Sequence, residues 1–218
     1  RPEGESTIIP CTWHETGIAV LGRIKDFSYE VMLVNGLDPN LFNNENWIKG
    51  GRQQRFEVSK FTNPAITGRV NYYGIPHTRI GISGYYGHTG KNASRVSKMK
   101  DIKGAVTVLT ADAQFRTKDI IARANVVWGN LGNSVEISKK NLEFPKDMGF
   151  PRTSVAKNAL SYGAEIGYNV GGLIKENLRI FPFLRYEYYN PMEKTEGNIL
   201  SEKRYKCDAF MVGANYYA

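Results

Sequence analysis

Charged side chains recur at even spacings in several segments of this chain of 218 residues, as with Asp112 and Arg116, four apart, and Arg185 and Glu187, two apart. In a β-strand, this spacing places the side chains on one face of the sheet. Rings of fixed charge around a water-filled opening determine which ions enter it. Because arginine outnumbers acid in this set, we predict a lumen with a mild anion preference; pairing of the charges across strands, which would fill an interior, is an equally open interpretation. The set is Arg69, Arg79, Asp112, Arg116, Arg123, Glu165, Arg179, Arg185, Glu187 and Asp208.

A glycine-rich stretch near residue 90 does not meet the requirements of a nucleotide-binding loop. Gly84 and Gly90 enclose five residues, whereas the phosphate loop has four, and Asn92 replaces the Ser or Thr that would hold magnesium. No serine lies in the Gly-x-Ser-x-Gly pattern of esterases. We therefore expect a protein that is not an enzyme.

Histidines and cysteines are few and widely separated. His14, His77 and His88 do not have the spacing of metal ligands. Cys11 and Cys207 match neither a metal site nor a disulfide framework. We expect no metal and no cofactor.

Nine segments predict β-strands whose lengths are close to the roughly 9–11 residues that a tilted transmembrane strand needs. Apolar and polar residues alternate along them, so each strand has two unlike faces. The apolar face would meet lipid in a membrane barrel and would form the core of a soluble sandwich; periodicity alone does not separate these cases. The segments are 15–24, 27–37, 66–75, 78–88, 104–116, 120–131, 159–170, 178–189 and 205–217.

The predicted connections alternate in length. Short turns on one side of a sheet and long loops on the other are typical of outer-membrane barrels. The short turns are 25–26, 76–77, 117–119 and 171–177. The long loops are 38–65, 89–103, 132–158 and 190–204.

Aromatic residues of the strands fall into two bands, as expected of girdles at the two membrane interfaces. The band near the long loops contains Tyr85, Tyr86, Trp128, Tyr188 and Tyr189. The band near the short turns contains Phe27, Tyr72, Tyr73, Phe115, Tyr168, Tyr216 and Tyr217.

The loop 38–65 is predicted to hold one short helix, with Asp38 as its cap, Pro39 in its first position and Gly50-Gly51 at its end. If this loop folds inward, it would narrow the lumen, and the residues of the constriction would be Trp47, Lys49 and Arg52.

Pro182, inside a predicted strand, is expected to mark a bulge because it has no N–H to donate.

Lysine and arginine exceed aspartate and glutamate by 29 to 21, which gives a net charge of +8. The basic residues are scattered along the chain, which disfavours a nucleic-acid footprint. No apolar run reaches the roughly 18 residues of a transmembrane helix. The opening residues 1–5 are polar and do not form a leader, so we expect an internal piece of a longer protein.

Three stretches resemble motifs of the porin-like outer-membrane barrels of Gram-negative bacteria, a group near the phosphate-selective porins. Ile8–Gly17 resembles "IIPxTWxExG", Tyr29–Leu37 resembles "Y-x-x-x-L-V-N-G-L", and Trp47–Gln53 resembles "I-x-G-G-R-Q". Weaker similarity extends through Thr67–Tyr72 and Phe183–Glu187. The resemblance implies an outer-membrane barrel with further strands before and after this chain; it does not extend to phosphate selectivity.

Together these patterns predict an all-β, antiparallel, up-and-down transmembrane sheet in one domain, 1–218, that forms part of a larger β-barrel in the bacterial outer membrane. The expected function is a porin-like channel for passive diffusion of small hydrophilic solutes or ions. The expected partners are outer-membrane lipid and such solutes, without nucleic acid, and a homotrimer is left open. Two alternatives remain: a non-porous receptor or adhesin barrel, which a filled lumen would favour, and a soluble carbohydrate-binding β-protein, which two packed sheets would favour.

Overall fold

The computed structural model describes residues 3–10, 13, 15–53, 61–94, 97–143, 153–173 and 178–217. They form one sheet of nine strands in sequence order, and every neighbouring pair is antiparallel. Within the described ranges β1 and β9 do not pair, so the sheet is not closed into a barrel. The strands are β1 (Gly17–Ile24), β2 (Phe27–Asn35), β3 (Pro64–Tyr72), β4 (Thr78–His88), β5 (Ala105–Arg116), β6 (Ile120–Leu131), β7 (Asn158–Tyr168), β8 (Arg179–Lys194) and β9 (Cys207–Tyr217).

The prediction of an all-β, up-and-down antiparallel sheet is confirmed, and all nine predicted strands are present. Strand β8 continues to Lys194, five residues beyond its predicted end at residue 189. The expected bulge at Pro182 is wrong: the register runs through Pro182, and the irregularity lies between Asn158 and Leu160. The last residue of β8 that pairs with β7 is Phe183. Pro182 therefore lies just outside the β7–β8 ladder, where its missing N–H is tolerated.

Two helices were not predicted, α1 (Glu3–Ile8) and α2 (Ser134–Leu142). The helix expected in loop 38–65 is replaced by two 3-10 turns, Pro39–Leu41 and Lys49–Gly51. Asp38 does cap the first turn, by accepting a hydrogen bond from the Asn40 N–H at 2.9 Å. The turn ends because Phe42 returns to an extended conformation, and its ring is buried. Residues 54–60 of this loop lie outside the described ranges.

The sheet has an apolar face and a polar face, as the period of two predicts. Large side chains of the apolar face are strongly exposed: Ile18 is 77% accessible, Ile82 63% and Val212 82%. No second sheet covers this face in the described ranges, so the packing that would favour a soluble sandwich is not found there. A continuous exposed apolar surface of this size is typical of a membrane or protein interaction surface.

Aromatic side chains mark both ends of the apolar face. Tyr85 and Tyr189, predicted for the band near the long loops, instead have their side chains on the polar face, since they alternate with Tyr86 and Tyr188 in the paired strands. Tyr73 follows the last residue of β3. The registers place Tyr86, Trp128, Tyr162 and Tyr188 near the long loops, and Phe27, Tyr72, Phe115, Tyr168 and Tyr216 near the short turns.

The long connections fold onto the polar face and form a loop layer, defined here as residues 36–53, 89–94, 97–104, 132–143 and 153–157. The core of the structure lies between this layer and the sheet, and it includes Phe42, Trp47 and Ile137 from the layer with Val108 and Val127 from the strands. The part of the polar face nearest the long loops is therefore packed rather than open.

Trp47 is the largest fully buried side chain of this core. Its indole N–H donates to the Ala156 carbonyl at 3.1 Å. Its ring lies so close to β6 that a Cβ on Gly129 would be 2.1 Å from Cη2 of the indole. This packing holds Trp47 at a φ of 48°, which is uncommon for a residue other than glycine.

Glu15 connects the segment before β1 to the loop layer. Its Oε1 accepts hydrogen bonds from the Trp13 indole N–H at 3.0 Å and from the Gln53 N–H at 3.3 Å. Its Oε2 is buried without a partner among the described residues. Burial raises the pKa of Glu15 from 4.5 to about 7 because the charged form loses its hydration.

We expect Trp47→Ala to lower the free energy of unfolding by about 3–5 kcal/mol, because the variant removes a fully buried aromatic ring and leaves a cavity. Urea unfolding measures the loss. Leu200→Ala is the control, since Leu200 is 82% exposed, and its effect should stay within about 0.5 kcal/mol. Equal effects of the two variants would contradict the packing role of Trp47.

We expect Glu15 to make stability depend on pH. The folded state binds its proton more tightly than the unfolded chain, so its stabilising contribution is complete below pH 4.5 and disappears as the pH rises to about 7. Glu15→Gln should therefore gain stability relative to the parent protein between about pH 4.5 and about pH 8. The free energy of unfolding of both proteins is measured with urea at these two pH values. The same change in that free energy with pH in both proteins would contradict the prediction.

Candidate functional site

Nine of the ten predicted charged residues share the polar face of the sheet. The prediction for Asp208 is wrong: it pairs with Tyr188, so its side chain lies on the apolar face. The strand registers place five residues directly opposite one another in a row that crosses β4 to β8. The remaining charges lie close to this row or at the short-turn end of the sheet. The row is Arg79, Gln114, Arg123, Glu165 and Arg185.

Arg69 and Arg79 are held by a single carboxylate. Asp112 Oδ2 lies 2.6 Å from Nη2 of Arg69, and its Oδ1 lies 2.6 Å from Nη2 of Arg79. Both guanidinium groups also donate to Oδ1 of Asn71, at 2.9 Å and 3.1 Å. Gly81 makes this arrangement possible, because a Cβ there would be 2.2 Å from Nη2 of Arg69.

Arg185 has two acidic partners. Its Nε donates to Oε2 of Glu165 at 2.7 Å, and its Nη2 contacts the same oxygen. Its Nη1 lies 3.4 Å from Oε1 of Glu187. The side chains of Glu165 and Glu187 are only 11% and 4% exposed, so Arg185 compensates two carboxylates that have lost most of their hydration.

Glu187 also anchors helix α1 to the polar face. Its Oε2 accepts hydrogen bonds from the backbone N–H groups of Glu3 at 2.8 Å and Gly4 at 3.3 Å. A Cβ on Gly4 would be 2.5 Å from the Ser161 hydroxyl and 2.8 Å from Cβ of Tyr189. The helix therefore lies directly on β7 and β8, and Glu187 is largely covered by it.

Arg123 is much less constrained than the other arginines of the row. Its side chain is 50% exposed, and Nη1 is 3.9 Å from Oε1 of Glu165. This distance exceeds that of a normal hydrogen bond. Arg116 and Arg179 are exposed at the short-turn end of the polar face and form no ion pair with a described residue.

A cavity of about 450 Å³ lies on the polar face between the loop layer and the short turns. Helix α1 and the segment after it form one wall through Glu5 and Ile9. The strands form the other walls, which carry Arg69, Arg79, Asp112 and Arg123. The structure thus brings four of the predicted charged residues into one cavity that is partly open to solvent; Glu165, Arg185 and Glu187 lie beside it, and Arg116, Arg179 and Asp208 lie away from it.

The predicted constriction residues occupy different environments. Trp47 is completely buried in the core between the loop layer and the sheet, so it has no surface with which to line an opening. Lys49 and Arg52 are partly exposed in the loop layer. Arg52 lies near the carboxyl group of Glu15, whose charged form it favours.

Metal and thiol chemistry receives no support in the described ranges. No group of three or more His, Cys, Asp and Glu side chains there could hold a metal ion. His77 and His88 are exposed, and Cys207 is a free thiol. His14 and Cys11 lie outside the described residues.

Among the described residues, no helix has the length and apolar character needed to span a membrane.

Several contributors to the site are uncharged and were not singled out in the sequence. Asn71, Gly81 and Asn125 lie on the polar face in the row next to the charged one. Their period-two spacing from the charged residues was a usable signal. No such signal identifies Glu5 and Ile9, because α1 reaches the site by tertiary packing.

No protein-family model matches this chain, and a search of curated proteins finds no match.

We expect Arg185→Gln to lower the free energy of unfolding by about 3 kcal/mol, because it leaves two mostly buried carboxylates without their cation. Arg123→Gln is the matched control: its half-exposed guanidinium has only a distant partner, and the loss should stay below about 1 kcal/mol. Urea unfolding compares the two variants. A greater loss in Arg123→Gln would contradict this assignment.

Proposed function

We propose that this chain forms part of the wall of a porin-like channel in a bacterial outer membrane, through which small hydrophilic solutes diffuse passively. The observation that carries the proposal is the separation of apolar and charged residues onto the two faces of one β-sheet. Large apolar residues are exposed on one face from β1 to β9, and arginines and acids lie on the opposite face of β3 to β8. Membrane barrels distribute residues in this way, with lipid outside and water inside.

The two edges of the sheet require partners in this proposal. An unpaired strand edge in hydrocarbon would leave backbone polar groups without hydrogen bonds, at a cost of several kcal/mol for each group. Further strands would pair with β1 and β9 and complete the barrel. The polar face would then line the lumen, with the charged cavity at the height of the Arg79 row.

The loop layer would narrow this lumen from the side of the long loops. It packs against β5, β6 and β7 through a shared apolar core, so it is a fixed part of the wall. The same observation favours a second candidate, a non-porous receptor or adhesin barrel, because the layer fills the polar face that it covers. Ion conductance separates the two candidates.

The membrane placement is tested by the fluorescence of Trp128, which is 39% exposed on the apolar face, whereas Trp47 is fully buried. The full-length protein that contains this chain is reconstituted in vesicles that contain lipids brominated on the acyl chains. We expect these lipids to quench the emission, and we expect Trp128→Phe to reduce that quenching. Equal quenching of the parent protein and Trp128→Phe would contradict contact between this face and lipid.

Channel activity is tested in planar bilayers with the full-length protein that contains this chain. We expect steady conductance and, in a salt gradient, a reversal potential that indicates a mild preference for anions, because arginine exceeds acid on the polar face. Clear cation selectivity would overturn the charge assignment. Absence of conductance from inserted protein would favour the non-porous receptor.

A further inference from the structure

We infer that the charged cavity is a binding site for small hydroxylated monocarboxylates, the chemical class of the sugar acids, and that Arg123 binds their carboxylate. The inference deepens the proposed function, and it rests on the proposal that solutes reach the polar face through water. Three features of the cavity support it: one guanidinium with only a distant partner, nearby acids that disfavour a second negative charge on the ligand, and several neutral hydrogen-bonding groups.

Three of the four guanidinium groups near the cavity are already engaged. Arg69 and Arg79 share Asp112, with contacts of 2.6 Å each, and both donate to Asn71. Arg185 donates a hydrogen bond to Glu165 and forms an ion pair with Glu187. A ligand that recruited any of these groups would have to separate a short ion pair in a partly buried site, which is unfavourable.

Arg123 can take a new partner at little cost. Its contact with Glu165 is long, at 3.9 Å, and Glu165 retains the shorter hydrogen bond from Arg185 at 2.7 Å when that contact is lost. The Arg123 side chain is half exposed, and it lines the cavity. A guanidinium group presents two parallel N–H donors, which match the two oxygens of a carboxylate.

The acids around Arg123 limit the charge of the ligand. Four arginines in or beside the cavity, Arg69, Arg79, Arg123 and Arg185, face four carboxylates, those of Glu5, Asp112, Glu165 and Glu187, so the formal charges balance. A carboxylate adds one negative charge to this balanced set, whereas a doubly charged phosphate adds two and is repelled more strongly by the acids. Phosphate should therefore bind more weakly than a monocarboxylate.

The neutral lining suits hydroxyl groups. The hydroxyls of Ser83 and Thr110 are 2.5 Å apart and can each accept a further hydrogen bond. The Gln114 side chain shares the row of Arg123, and Nδ2 of Asn125 is unpartnered among the described residues. These groups lie along the same strands as Arg123, and the volume of about 450 Å³ lies within the usual range of small-molecule sites.

Calorimetric titration of the folded full chain in detergent tests the inference, with D-gluconate, propionate, D-glucose and inorganic phosphate as probes. We expect gluconate to bind more tightly than the other three. Arg123→Gln should weaken gluconate binding at least about tenfold, the effect of losing charged hydrogen bonds. Arg123→Lys, which retains the charge, should keep more of the affinity than Arg123→Gln.

Arg116→Gln is the matched control, because it removes the same charge from the same face outside the cavity; its gluconate affinity should stay within about twofold of the parent value. Ser83→Ala with Thr110→Ala should weaken gluconate and leave propionate unchanged. Absence of gluconate binding, parent-like binding by folded Arg123→Gln, or tighter binding of phosphate would each overturn the inference.

These titrations do not require transport. Gluconate binding without conductance would reject the channel and retain the site. Conductance without gluconate binding would reject the site and retain the channel.

Discussion

Side chains of a hydrogen-bonded strand have only two directions available, and this constraint organises all nine strands of the sheet. Because the strands are antiparallel and directly paired, the large apolar residues of one face stand beside one another across the sheet. The hydrophobic surface of the strands is therefore directed away from most of the chain. The compact core of the molecule is instead built by the loop layer against the opposite face.

That opposite face changes character along the strands. Near the long loops it carries small and apolar residues such as Val108 and Val127, which accept the loop layer. Nearer the short turns it carries ion pairs in which the acids are the more buried members, as with Glu165 and Glu187. A buried carboxylate without a partner is costly, and the arginines that neutralise these acids retain contact with solvent. The positive charge of Arg69, Arg79 and Arg185 is consequently structural, whereas the only described partner of Arg123 is distant.

The sequence was sufficient to predict the strands and the face of most charged residues, because alternation with a period of two is a local property; Asp208, which lies on the apolar face, is the exception. Local pattern did not reveal α1, whose position depends on Glu187 and Ser161, nearly the whole chain away. It also misplaced Trp47: the residue was assigned to an opening, and its burial depends on the absence of a side chain at Gly129. Gly81 likewise has meaning only when Arg69 and Asp112 are seen on either side of it. Residues that act by leaving space are hard to recognise before the neighbouring strands are known.

The row from Arg79 to Arg185 also protects the sheet against misassembly. If any one strand of the row were to pair one position out of step, its side chains would exchange faces. A guanidinium or carboxylate would then project among apolar neighbours, where an ionised group is several kcal/mol less stable than in water. Each strand in the row carries a polar side chain, so an incorrect pairing lowers stability at the strand where it occurs. The correct alignment of the hairpins is therefore favoured as they assemble.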